Sequence, residues 1–184
     1  MSVTVAPHDF RFVKFDAQVV QRVGDELLAA LAIDLPLHVE IDETTPLGRV
    51  RATVNPDGIT VNVESGAFED SKRPREQSEA ATAVSLGRIL LRTRDRLQGG
   101  FGEAPADEDL SLRQMAAWET YCAGRLARLG LAVNQQRWRY NFRNRSGFTD
   151  ATDAAFEQIW AADGLTWGEL EAITGTTAAS TSAI

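Results

Sequence analysis

Apolar and polar residues alternate along this chain with two different periods, and the switch between them marks the elements. From Asp16 to Ile33, Val19, Val20, Val23, Leu27, Leu28 and Leu31 recur at the spacing of an amphipathic helix. Asp16 is placed to cap it and Pro36 to close it off. Three runs with strand period follow. Leu37, Val39 and Ile41 alternate with His38 and Glu40; Val50, Ala52 and Val54 with Arg51 and Thr53; Ile59, Val61 and Val63 with Thr60 and Asn62. The turn signal "NPDG", Asn55 to Gly58, joins the last two runs into a hairpin. The pattern predicts a small three-stranded antiparallel sheet with one apolar face that helices must cover.

Ser65 to Arg73 reads as a loop, and Pro74 suits the first turn of the next helix, where its missing N–H costs nothing. That helix carries Ala81, Val84, Leu86, Ile89, Leu90, Leu91 and Leu97, apolar on more than one side, so it is expected to be central and buried. Arg88, Arg92, Arg94, Asp95 and Arg96 mark its solvated strip and end, and Gly99-Gly100 stops it. "GGFGEAPADEDL", Gly99 to Leu110, reads as a flexible acidic loop. Ser111 with Gln114 forms a capping box for a helix with Met115, Trp118, Cys122, Leu126 and Leu129 on one side, ending at Gly130. Asn134 to Arg145 and Thr149 to Ala161 predict two further helices, and a short last one starts near Thr166. Strands placed ahead of helices indicate the α+β class: an N-terminal helix, the small sheet, a long central helix and C-terminal helices. They are expected to form a single domain over residues 1–175, followed by a disordered tail at 176–184.

Composition narrows the function classes. With 43% hydrophobic and 24% charged residues over 184 positions, the chain has the make-up of an ordinary globular protein with a core. A net charge of -7 argues against a surface built as a whole for nucleic acid or an anionic membrane. The single cysteine, Cys122, excludes an internal disulfide or a thiolate metal cluster, and its place in a helical pattern suits a small buried hydrophobe. "MSVTVAPHDFRFVKFD" lacks the cationic start and unbroken apolar core of a secretory signal, and no window approaches the length of apolar chain that spans a membrane. These features favour the cytoplasm.

The central helix opens with Ser78-Glu79-Ala80-Ala81-Thr82 after the strand Ile59 to Val63, and "WETYCAGRLA", Trp118 to Ala127, lies on the helix that follows. Helix, small sheet, central helix and further helix over residues 16–130 resemble the core of the zincin-like metallopeptidases. In that family the central helix carries His-Glu-x-x-His, and in the gluzincin branch a glutamate on the next helix supplies the third zinc ligand. The resemblance implies that Glu79 and Glu119 are remnants of such a site. Ser78 and Thr82 stand where the family has its histidines, and neutral hydroxyls bind zinc poorly. The chain's two histidines, His8 and His38, lie elsewhere. The resemblance therefore implies a catalytically silent relative, with no metal and no cofactor. The same glutamate is also an ordinary feature of a helix start, where it complements the helix dipole.

One further segment carries chemistry. "QQRWRYNFRNR", Gln135 to Arg145, sets Arg137, Arg139, Arg143 and Arg145 among Trp138, Tyr140 and Phe142. Basic residues interleaved with aromatics can hold single-stranded nucleic acid. The acidic balance of the chain disfavours that use, and points instead to an arginine-faced helix with its aromatics in the core. An anionic small ligand or an acidic partner segment is the next option, through guanidinium forks. Glu103, Asp107, Glu108 and Asp109 lack the spacing of an EF-hand loop, and "GGFG" follows a helix instead of opening one. No Walker motif, dinucleotide fingerprint or G-x-S-x-G elbow is present. His8 lies near a mobile end, and His38 on the polar side of a strand.

The resulting expectation is a non-enzymatic binding or regulatory protein. Its recognition surfaces would be the groove beside Ser78, Glu79 and Thr82, and the helix bearing Arg137, Trp138, Arg139, Tyr140, Arg143 and Arg145. The partner would be a protein or a small anionic ligand, not a membrane. Two alternatives stay open: a hydrolase using Glu79 and Glu119 as general acid and base, without metal or with a weakly held one, and nucleic-acid binding through the arginine helix.

Overall fold

Four strands, not three, build the main sheet, and it is mixed. In the computed structural model, which describes residues 2–181, β1 (Val3–Ala6) leads into α1 (Ala17–Ala30), then β2 (Leu37–Asp42), β3 (Val50–Asn55) and β4 (Gly58–Glu64). The strand order is β1-β2-β4-β3. β1 runs parallel to β2 and β2 parallel to β4, and only the β3–β4 hairpin is antiparallel. Alternation reports which face is buried but is the same for both directions of pairing. The expected three-stranded antiparallel sheet is thereby corrected, while the α+β class holds. β1 also anchors the chain start that was expected to be mobile, with His8 exposed two residues beyond it.

The chain falls into two compact units, Met1–Thr93 and Arg94–Ile184, the division lying within the helix Glu79–Gln98, here α2. In the first unit the apolar rows Val3–Leu37–Ile59 and Val5–Val39–Val61 form one buried face of the sheet. α1 brings Val20, Val23, Leu27 and Leu28 to that core, and a Cβ on its Gly24 would lie 3.0 Å from Val3, a measure of how closely it approaches β1. Asp16 caps the helix by accepting from the Gln18 N–H at 2.8 Å. The "NPDG" turn forms as expected, with Asn55 opposite Gly58. Gly58 is required there: its φ is +138° and a Cβ would lie 2.4 Å from the Pro36 carbonyl oxygen.

Between β4 and α2 the expected loop folds instead into a short 3₁₀ turn (Ser65–Ala67) and a second sheet, β5 (Glu69–Asp70) with β6 (Arg73–Gln77). Pro74 sits in β6 and not in a helix. Side chains hold this ribbon in place of an apolar face. Glu69 accepts the Arg75 N–H at 2.9 Å and the Ser65 hydroxyl at 3.0 Å, while the Arg75 guanidinium reaches the Glu43 carbonyl at 3.2 Å. Arg75 itself adopts a positive φ of 67°, a conformation these bonds stabilise.

The second unit is helical: α3 (Leu112–Arg128), α4 (Gln135–Ser146), α5 (Asp150–Ala161) and α6 (Trp167–Thr181). The capping box at Ser111 and Gln114 forms with both bonds in place. Phe101, Trp118, Tyr121, Cys122, Phe142, Phe156 and Ile159 are fully or almost fully buried, and Phe101 stacks on Trp118 at 4.8 Å. The segment expected to be a flexible acidic loop is therefore tied down by Phe101, and by Arg96, which donates to the carbonyls of Ala104 and Pro105 at 3.1 and 2.7 Å. Arg92 and Asp95, expected on a solvated strip, are each 5% exposed. The backbone of α6 continues through Thr181 into the stretch expected as a disordered tail, of which residues 182–184 lie outside the described residues. Among the described residues no helix is long and apolar enough to cross a membrane.

Candidate functional site

The first turn of α2 uses its hydroxyls for its own architecture. Ser78 accepts the Ala81 N–H on its side chain at 3.2 Å and the Thr82 N–H on its carbonyl at 2.9 Å. The Thr82 hydroxyl donates to that same carbonyl at 2.9 Å and is fully buried. These are the bonds of a helix cap. Glu79 points to solvent and is clasped by Arg22 of α1 through two hydrogen bonds, 3.0 and 2.8 Å. The Arg22 hydrogen bonds hold the Glu79 carboxyl below the usual glutamate range, so it stays ionised at neutral pH, the wrong state for a general acid. Glu119 belongs to the second unit, half-buried on α3. Ser78, Glu79 and Thr82 are thus one turn of one helix, bonded to its own backbone and to α1. Among the described residues, no three His, Cys, Asp or Glu side chains converge as ligands for a metal ion.

α4 divides its residues sharply. The Asn134 side chain caps it by accepting the Arg137 N–H at 3.1 Å, and one turn per 3.6 residues then places positions 139, 142, 143 and 146 on one side and 137, 140, 141, 144 and 145 on the other. The first set faces α5. Arg143 forks onto Asp153 at 2.7 and 2.5 Å, and Arg139 pairs with Glu157 while its guanidinium lies 5.2 Å from the Phe156 ring centre. Phe142 is fully buried, 6.0 Å from Phe156. The Arg143 hydrogen bonds hold the Asp153 carboxyl below its ordinary range and lift the guanidinium above its own.

The second set faces water. Arg137, Asn141, Asn144 and Arg145 are exposed, and Tyr140 meets Phe148, just past the helix, edge to face at 6.1 Å with both rings more than half exposed. Among the described residues neither Arg137 nor Arg145 has an ion-pair partner. Eight residues of helix separate the backbone positions of these two arginines by about 12 Å along the axis. Trp138 sits half-buried at the boundary. Of the arginines expected to bind, Arg139 and Arg143 are committed to α5. The surface that remains is Arg137, Tyr140 and Arg145, joined by Asn141, Asn144 and Phe148. Phe148 was not among the expected residues, because it lies outside the helical period.

One cleft carries polar groups that no sequence motif marks. It holds about 500 Å³ on the polar face of the main sheet, with Glu40 and Asp42 of β2, Asn62 and Glu64 of β4, and Arg49 and Arg51 at the β3 edge on its walls. No family model, no curated protein and no solved structure matches the chain.

Proposed function

We propose that this protein is a non-enzymatic binding protein that recognises an acidic protein segment through the outward face of α4. One observation carries the reading: α4 splits its cations into an inward pair, Arg139 and Arg143, matched by carboxylates of α5, and an outward pair, Arg137 and Arg145, with no ion-pair partner among the described residues. Solvated surfaces are ordinarily built from mixed charges with scattered apolar residues. Here two guanidiniums and two exposed, touching aromatic rings share one helix face with two amides and no carboxylate. Arginine and tyrosine, with tryptophan, are enriched among the residues that dominate protein interfaces. Two guanidiniums suit carboxylates in a bidentate manner.

A single strand of nucleic acid is the weaker match. Two unpaired arginines neutralise about two phosphates, and a protein of net charge -7 repels the remainder of the strand. Chemistry at Ser78, Glu79 and Thr82 is disfavoured because those groups are engaged in capping and in the Arg22 ion pair. The zincin-like resemblance, if it reflects descent, fits a relative that kept the scaffold and lost the reaction.

The test is fluorescence anisotropy with two labelled probes, a peptide of Asp and Glu interspersed with Leu and Phe, and an oligothymidylate strand. The reading predicts saturable binding of the peptide, lost in R137E/R145E and kept in R139Q. Preference for the oligonucleotide, or peptide binding indifferent to R137E/R145E, contradicts it.

A further inference from the structure

β3 is an outer strand of the main sheet, and one of its two sides has no neighbouring strand. The ladder with β4 fixes which residues turn their backbone groups to that open side. The Glu64 N–H donates to the Arg49 carbonyl at 2.9 Å, and bonded and non-bonded pairs alternate along antiparallel strands. Counting along the register, Arg51–Asn62 and Thr53–Thr60 are bonded pairs, while Val50, Ala52 and Val54 point their N–H and C=O groups outward. Ile59, opposite Val54, agrees: its own N–H turns away from β3, to the Pro36 carbonyl at 2.8 Å. Three donors and three acceptors thus line the open side, with no backbone partner among the described residues.

The other outer strand is shielded. β1 has four residues and Pro7 follows it, and short length and proline are both devices against edge pairing. β3 has six residues, contains neither Pro nor Lys, and runs against β4 without a bulge. Its apolar side is also unfinished. Val63, Val61 and Ile59 of β4 are buried, but Val50 and Ala52 beside them are half-buried and Val54 is 46% exposed.

An antiparallel second copy of β3 fits this edge in one register. Residues directly opposite share a face, so a two-fold axis must pass through a residue position and not between two. An axis at Arg51 opposes two guanidiniums, which is destabilising. An axis at Thr53 sets Val50 against Pro56, which has no N–H to give. An axis at Ala52 pairs Ala52 with Ala52 and Val50 with Val54 across the join. It uses every outward group of the three residues and closes the apolar side with β-branched pairs. On the polar side it sets Arg51 opposite Thr53, and Arg49, held to Glu64 only at 3.9 Å, opposite Asn55. No like charges meet. We infer that two copies of this chain associate through β3 as a symmetric dimer, with one sheet continuous across both. The contact lies in the first unit and is separate from the α4 face.

Sedimentation equilibrium of the full chain tests it. One six-residue strand per copy is a smaller contact than the roughly 20–30 residues a side of a standard interface. A weak dimer is therefore expected, with Kd below about 0.5 mM. Ala52→Pro removes a donor that serves only the second copy and keeps the bonded pairs with β4, a setting in which edge strands tolerate proline. It should make the chain monomeric. Thr53→Glu places a carboxylate opposite Arg51 and should tighten the dimer about 3-fold or more; Thr53→Lys should loosen it by a similar factor, and R51E/T53K should restore it. Amide exchange read by NMR should slow with rising concentration at Val50, Ala52 and Val54. Arg51 and Thr53 are exposed, so their variants are expected to fold. Circular dichroism checks Ala52→Pro, and if that variant misfolds the charge series at position 53 decides alone. A monomer up to about 0.5 mM, or a dimer indifferent to charge at position 53, overturns the inference. R137E/R145E should leave the dimer unchanged, which separates it from the role of α4.

Discussion

Arg125 clasps Asp95 through two hydrogen bonds of 2.7 and 2.6 Å, with both side chains about nine-tenths out of water. Trp118 adds a third bond, its indole N–H donating to the same carboxylate at 2.8 Å. The Arg125 guanidinium lies 3.8 Å from the centre of the Tyr121 ring, and Tyr121 in turn accepts the Leu165 N–H at 2.9 Å. Burial alone would lower the Arg125 value, yet the Asp95 bonds outweigh it and hold the guanidinium firmly charged. This network joins the end of α2 to α3 and to the start of the last helical segment within the second unit. Removing one partner leaves a buried charge uncompensated. Asp95→Ala is therefore expected to destabilise the protein by about 3–5 kcal/mol. Asp95→Asn, which keeps an acceptor for Trp118, should lose less. Urea unfolding followed by tryptophan fluorescence measures both.

Close approach of α3 and α5 sets a second expectation. A Cβ built on Gly124 would lie 2.2 Å from the Trp160 carbonyl oxygen, a backbone atom that cannot swing aside. Gly124→Ala should cost about 1–3 kcal/mol through overpacking, despite alanine's better helix propensity. A gain in melting temperature would show that the helices are not packed this tightly.

Acid sensitivity should concentrate in the β5–β6 ribbon. Burial pushes the Glu69 carboxyl up, but the Arg75 N–H and the Ser65 hydroxyl outweigh it and hold it below the ordinary glutamate range. A carboxylate lowered on folding contributes its stability above the unfolded value, about 4.3. That contribution is lost as pH falls through the lower folded value. The wild type should therefore lose more stability between pH 6 and pH 3 than Glu69→Gln does. Parallel pH profiles for the two proteins would remove Glu69 from this role.

At the start of α2, Ser78→Ala should cost about 1 kcal/mol, the usual loss of a helix cap. Glu79→Gln, by contrast, removes only an exposed ion pair with Arg22, whose side chains are 56% and 49% exposed. It should leave melting temperature and peptide binding by α4 nearly unchanged. A large effect of Glu79→Gln on any activity of the protein would mean that this turn does more than begin a helix.

Much of this architecture is local and was readable in the residues. Val20, Val23, Leu27 and Leu28 announce α1, the capping box at Ser111 announces α3, and "NPDG" announces the hairpin. What escaped depends on distant partners. Val3 and Val5 make a strand too short to stand out, and its parallel pairing to β2 follows from the α1 crossover, which alternation does not record. Arg73 to Gln77 is charged and contains Pro74, and becomes a strand because Glu69 and Asp70 grip it. Asp95 sits among arginines in sequence, yet Trp118 and Arg125 draw it into the core. At α4 the helical period separates Arg139 and Arg143 from Arg137 and Arg145. Which side turns inward was written in α5, where Asp153 and Glu157 stand one turn apart. The cleft on the sheet was the least visible, since its groups come from three strands aligned only by register.

The measurement that bears most directly on the function is an amide-resolved NMR titration of the full chain with the acidic peptide described above. The account predicts that perturbations centre on Arg137, Tyr140, Asn141, Asn144, Arg145 and Phe148, and vanish in R137E/R145E. Perturbations centred on the start of α2, or spread evenly over the surface, would contradict it.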